Sequence, residues 1–122
     1  MMFFGTGIAA GTEKYLWNRK SLSPPLDSEN RNTKDLFRKG GDYRVGATLE
    51  VAPGAGESVV ITPIINGTPY ARTITVSGAN RSGRMTINGL ARGDQLSFKA
   101  SVSAGSADVK TVMVSIAGTT SQ

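Results

Sequence analysis

From Tyr43 onward, apolar and polar residues alternate one for one. Tyr43, Val45, Ala47, Leu49 and Val51 are separated by Arg44, Gly46, Thr48 and Glu50. Leu96, Phe98, Ala100 and Val102 are separated by Ser97, Lys99 and Ser101, and Val112, Val114 and Ile116 by Met113 and Ser115. A period of two sends every second side chain to one face of a pleated strand, so each run buries one face and wets the other. Composition agrees, because residues 42–122 hold nine Val and six Ile against three Leu. β-Branched side chains suit a half-buried pleated surface, and this part of the chain reads as all-β.

The segments between these runs complete the pattern. Pro53-Gly54-Ala55-Gly56 is a turn, and Ser58 to Ile65 is a nearly continuous apolar run, as in a strand buried on both faces. Pro63 complicates it, since proline cannot donate to a ladder and belongs at an edge or bulge. Asn66-Gly67 predicts a tight hairpin leading into Tyr70 to Val76, with Tyr70, Arg72, Ile74 and Val76 on one face. Ser77 to Gly83 reads as a polar loop, and Arg84 to Asn88 as a short strand carrying Met85 and Ile87. Strands separated by turns every 8 to about 12 residues predict a small antiparallel β-sandwich, immunoglobulin-like or jelly-roll-like.

Before Gly40-Gly41 the composition changes: one Ile, no Val and four Leu, but five of the eight aromatics, namely Phe3, Phe4, Tyr15, Trp17 and Phe37. Residues 1–41 therefore read as an extended N-terminal arm and residues 42–122 as the sandwich domain. The arm contains Pro24-Pro25 and the polar run Asp27 to Asn32, read as a solvated connector rather than a calcium loop. Thr12 to Lys20 and Thr33 to Lys39 could each make a short helix, the second stopped by Gly40. Solvated tails are poor in aromatics, so the arm is expected to order against a partner. Phe3, Phe4, Tyr15, Leu16, Trp17, Arg19 and Lys20 are the expected partner-binding residues, because Trp, Tyr and Arg dominate interface hot spots. A domain of about 80 residues buries only some 60% of its unfolded-chain surface, which favours a homo-oligomer, with a trimer expected.

The chain has no Cys and no His among its 122 residues. That removes disulfides, thiolate or imidazole metal ligands, thiol nucleophiles and imidazole bases. Nine carboxylates remain, with no pair placed by the sequence to flank a substrate. The chain is expected not to be an enzyme and to need neither cofactor nor metal. Gly5, Gly7 and Gly11 lack the strand-turn-helix context of a phosphate loop. Arg92-Gly93-Asp94 reads as turn chemistry rather than an adhesion motif. Asn66-Gly67-Thr68 and Asn80-Arg81-Ser82, although they match the glycosylation pattern, read as hairpin and loop. The net charge of +5 divides as +3 before residue 42 and +2 after it. Aromatic and basic residues interleave only at Tyr15 to Lys20, so nucleic acid is not the expected partner and would lean on that stretch. The apolar start, Met1 to Gly11, lacks a basic n-region and is interrupted by glycines, so it does not read as a secretory leader. No window approaches the roughly 20 apolar residues of a membrane span.

Two resemblances follow. Ile87 to Ala100 resembles the E-to-F corner of fibronectin type III and related sandwiches, with Leu96 where that group has its corner tyrosine. The layout as a whole, an aromatic, Pro-containing arm before a Gly/Ser/Thr-rich β-domain, is similar to the small decoration, cement and head-fibre proteins of tailed bacteriophages. That resemblance implies a structural protein located in the virion and made in the host cytoplasm. Its arm would grip capsid or tail proteins of the same particle while its β-domain projects outward. The alternative is a surface carbohydrate- or receptor-binding module, reading a host glycan through Tyr70 and Arg72 or through the loop Ser77 to Arg84. A third reading is a nucleic-acid-binding protein.

Overall fold

The computed structural model describes residues 1–19 and 33–117, and these contain eleven β-strands and no α-helix. In chain order they are β1 (Met2–Ala9), β2 (Lys14–Tyr15), β3 (Trp17–Asn18), β4 (Asp35–Leu36), β5 (Gly41–Val51) and β6 (Ser58–Ile65). Then come β7 (Thr68–Pro69), β8 (Ile74–Ser77), β9 (Ser82–Leu90), β10 (Gln95–Val102) and β11 (Ser106–Ile116). They form two antiparallel sheets packed as a sandwich. The first has the order β3-β1-β11-β5-β9, the second β2-β10-β6-β7, with β4 also on β10 and β8 also on β6.

The alternating runs turn their apolar sets inward as expected. Tyr43, Val45, Ala47 and Leu49 of β5 and Val109, Val112 and Val114 of β11 form one wall of the core. Val59 and Ile61 of β6, Ile74 and Val76 of β8 and Leu96, Phe98, Ala100 and Val102 of β10 form the other. Strand β6 alternates for most of its length, with Val60 and Thr62 partly exposed, and only Ile64 is buried out of phase. Pro63 lies opposite Phe98, where β8 pairing has ended at Ile61 and β7 pairing has not yet begun at Ile64. Its carbonyl accepts the Tyr70 N–H at 2.8 Å, so its missing donor faces a break in the ladder. Asn66 and Gly67 make the expected turn, at φ 52 and 82, as a two-residue I′ hairpin requires. The strand expected over Tyr70 to Val76 is split, because only Thr68–Pro69 and Ile74–Ser77 pair with β6.

The division into an arm and a domain is corrected by the structure. Strand β1 lies inside the first sheet between β3 and β11, and Phe3, Ile8, Leu16 and Phe37 are at most 1% exposed. The Phe3 ring meets Phe98 edge-on at 5.0 Å between centroids, joining the two sheets. Phe37 tilts against Tyr43 at 4.5 Å. The segment shuttles: β2 pairs with β10 and β3 with β1. Between them Leu16 donates its N–H to Phe98 O at 2.9 Å. This crossing closes one side of the sandwich, with β3 as the margin of the first sheet and β2 and β4 end to end along β10. Where the sequence allowed two short helices, the described residues form β2, β3 and β4. A helix would leave those positions of β1 and β10 without strand partners. Gly5 explains why β1 is hard to recognise, for a Cβ there would lie 2.6 Å from Leu16 Cδ2. The glycine is a slot for a core leucine rather than a sign of flexibility. Pro24-Pro25, Asp27 to Asn32 and Lys20 lie outside the described residues.

Candidate functional site

The residues expected to bind a partner do not form one surface. Phe3 and Leu16 are 0% exposed in the chain's own core, so the anchoring role assigned to them is corrected. Phe4 and Trp17 are cross-strand neighbours at the margin of the first sheet, both half-buried. The Arg19 guanidinium lies 4.6 Å from the Phe4 ring centroid and donates to Lys110 O at 3.2 Å. Tyr15 belongs to the second sheet, with the Lys99 ammonium 5.0 Å from its ring. The aromatic and basic run Tyr15 to Arg19 is thus divided between two sheets. A single stacking strip cannot be made from it.

The expected sugar-binding residues are also partly committed to the fold. The Tyr70 hydroxyl accepts the Asn88 N–H at 3.1 Å, tying the chain after β7 to the outer strand of the other sheet, while Arg72 is exposed. Of the expected loop Ser77 to Arg84, Ser77 ends β8 and Ser82 to Arg84 begin β9, and the turn between them is tightly held. Gly78 lies so close to the Gly54 carbonyl that no Cβ fits. Asn80 N–H donates to Ser77 Oγ at 3.0 Å and Leu49 N–H to Arg81 O at 2.9 Å. Asp94 of the Arg-Gly-Asp run accepts Ala91 N–H at 2.9 Å and Asn66 Nδ2 at 3.0 Å. These two bonds, the backbone one first, hold its carboxylate below the usual carboxylate range. Its carboxylate oxygens serve the turn.

A concavity that the sequence does not announce lies at the end of the sandwich where β5 begins and β11 ends. It is an open groove of about 450 Å³ lined by Met1, Leu36, Arg38, Lys39, Tyr43, Val114, Ser115 and Ile116. Leu36 and Ile116, 50% and 38% exposed, give it apolar walls. The Tyr43 hydroxyl donates to Lys39 O at 2.6 Å, fixing the backbone of the basic pair Arg38-Lys39, and burial raises the Tyr43 pKa. Phe37 anchors this stretch from below: its N–H donates to Asp94 O at 3.0 Å and its carbonyl accepts Gly93 N–H at 2.7 Å. The lining offers cationic donors, a serine hydroxyl and apolar surface, with no acid among its residues. Such a groove falls within the usual size of small-molecule sites, roughly 300–1,000 Å³, and can hold a small ligand by shape and hydrogen bonding. No group of three or more metal-ligating side chains occurs among the described residues.

No protein-family model and no curated protein matches the chain. Among solved structures, the CBM35 carbohydrate-binding module from Cellvibrio japonicus Abf62 is similar, with a TM-score of 0.50 and 14% identity. The alignment covers 94% of this chain and 93% of that one. At that identity, the likeness shows a shared β-sandwich fold. It takes in the N-terminal strands with the rest, as the packing of Phe3 and Leu16 requires. The bacteriophage resemblance rested on an arm followed by a separate domain, and the described residues do not adopt that layout.

Proposed function

We propose that this chain is a non-catalytic carbohydrate-binding module whose end groove receives a sugar. The observation that supports the reading is the likeness to a carbohydrate-binding module over nearly the whole of both chains. The groove supplies a place for it. Leu36 and Ile116 offer apolar surface to the C–H face of a pyranose, while Arg38, Lys39 and Ser115 offer hydrogen-bond donors to its hydroxyls. A few convergent polar groups in an apolar concavity fix the orientation of a ligand.

The test is a glycan array with the full chain, followed by calorimetry on any glycan retained. Arg38→Gln and Leu36→Ser should each weaken binding about tenfold, or 1.4 kcal/mol, at an unchanged melting temperature. No retained glycan, or an affinity indifferent to both substitutions, would refute the reading.

A further inference from the structure

The middle of the first sheet's outer face carries a dent. In β5 the buried residues Tyr43, Val45, Ala47 and Leu49 alternate with outward Arg44, Gly46 and Thr48, and β5 is an inner strand flanked by β11 and β9. Gly46 lies opposite Met113 on one side and Arg84 on the other. Glycine weakens a strand interior and otherwise marks a bulge, a bend or a close approach by a ligand or another backbone. The first two explanations fail here. Gly46 has no left-handed φ, the pairing around it is regular on both sides, and a Cβ built on it meets nothing within 4 Å. The bare backbone at Gly46 is therefore open to a close approach from outside.

The surroundings define what approaches. Arg44 stands two residues away on the same strand and Arg84 directly across, both exposed, and Lys110 is exposed on β11. The acids of this sheet are more remote or engaged: Asp42 accepts Gly89 N–H at 3.0 Å and Asp108 accepts Gly7 N–H at 2.7 Å, while Glu50 lies near the far end of β5. Met113, 49% exposed, borders the dent with an apolar flank, and Thr48 and Thr86 add hydroxyls nearby. A second copy of this chain is disfavoured as occupant, because pairing the face with itself would set guanidinium against guanidinium. A nucleic-acid base is also a poor fit, since stacking platforms are aromatic and the dent is bordered by methionine and arginine.

We infer that this face is a second binding site, for an anionic polysaccharide. One pyranose ring lies on the bare backbone at Gly46 beside Met113, and the acidic substituents of the chain are held by Arg44 and Arg84. Guanidinium forks match carboxylate and sulfate oxygens with paired, charge-assisted hydrogen bonds. The inference rests on the carbohydrate-binding reading above but uses a different surface from the groove.

Affinity electrophoresis of the full chain in gels containing dextran sulfate, with unsubstituted dextran as the uncharged control, tests it. Dextran sulfate should retard the protein and dextran should not, with the retardation declining as salt is added. Gly46→Leu, which fills the dent, and the double variant Arg44→Gln/Arg84→Gln should each weaken retardation about tenfold. Arg92→Gln, exposed in the turn before β10 and outside both sites, should leave it unchanged. The melting temperature of the double variant should stay put and that of Gly46→Leu should hold or rise, which separates loss of the site from loss of the fold. No retardation by dextran sulfate, retardation indifferent to both face variants, or displacement by single-stranded DNA at lower concentration than by free dextran sulfate would overturn the inference. If groove-dependent glycan binding survives any of these results, the second site alone falls. If no glycan binds anywhere on the chain, the carbohydrate reading falls with it.

Discussion

Strands β1 and β11 lie side by side in one sheet and are held there by different means. Strand β11 is flanked along most of its length by β1 and β5, and its inward positions are the small residues Ala107, Val109, Val112 and Val114. Strand β1 pairs fully on one side only, since β3 meets it at just Phe3 and Phe4. Its inward positions are Phe3 and Ile8 with Gly5 between them, and the space over Gly5 is occupied by Leu16 from the next crossing. One strand spreads its burial over many modest contacts, and the other concentrates it in a few large side chains. The lesson is that a shift in composition along a chain need not mark a domain boundary. It can mark a change in how the same core is filled.

The strongest way to break this comparison is to remove the N-terminal strands. A chain beginning at Gly41 loses Phe3, Ile8, Leu16 and Phe37, each worth about 1.5–3 kcal/mol on full burial. That loss is comparable with the whole stability of a small domain, about 5–15 kcal/mol. Such a fragment should show no cooperative thermal transition by circular dichroism, and a fragment melting like the full chain would return these residues to the status of an arm. Next in size is the contrast within the pair. Phe3→Ala should cost about 3–5 kcal/mol, and Val112→Ala, one strand over, about 2 kcal/mol from lost methyl burial and the small cavity left. Urea denaturation of both variants measures the ratio, and equal costs would show that the burial is not concentrated in β1.

Two glycines in strands sharpen the point further. Gly5→Ala drives a methyl into Leu16 and should destabilise by about 1–3 kcal/mol, as overpacked cores do. Gly46→Ala meets open space, and should be neutral or stabilising by up to about 1 kcal/mol, because alanine has less backbone freedom to lose on folding. Melting temperatures moving in the same direction would mean that Gly5 is not the slot for Leu16.

The same contrast explains what the sequence disclosed. Strands β5 and β11 were legible because one face of each is wet, which favours a polar residue in every second place, and β10 because Ser97, Lys99 and Ser101 keep the same alternation although that face is buried to half-buried. The Asn66-Gly67 turn was legible because two consecutive positive φ values exclude most other pairs. Strand β1 was hidden because its alternation is carried by Phe3, Gly5 and Ile8, where the smallest residue occupies an inward place. Trp17 pairs with Phe4 across the first sheet, but Leu16 and Tyr15, one and two residues before it, belong to the core and to the opposite sheet. The groove could not be read at all. Leu36, Arg38, Lys39 and Tyr43 meet Val114 to Ile116 only because β5 and β11 are paired from Tyr43↔Ile116 onward, and no local pattern encodes that register.

The smallest expected effect concerns the clip that fastens the N-terminal segment to the later strands. Phe37 is held at both its N–H and its carbonyl by the Ala91 to Asp94 turn, and that turn is closed by the Asp94 carboxylate bonded to Ala91 N–H and Asn66 Nδ2. Both donors favour the ionised form and lower its pKa in the folded chain. The unfolded chain, lacking them, binds the proton more readily. The stabilisation is therefore complete above the ordinary aspartate pKa and is lost as the pH falls through the lowered folded value. The group is solvent-exposed, so the effect is modest. Melting temperature should decline on acidification from about pH 5 downward, and Asp94→Asn should melt lower at neutral pH but decline less steeply. Asparagine keeps one acceptor for these two donors and has no charge to lose. Comparing the two slopes isolates Asp94 from the other carboxylates, which both proteins share. Parallel slopes would show that the clip does not depend on this ionisation, leaving Phe37 fastened by its packing against Tyr43 and its backbone bonds alone.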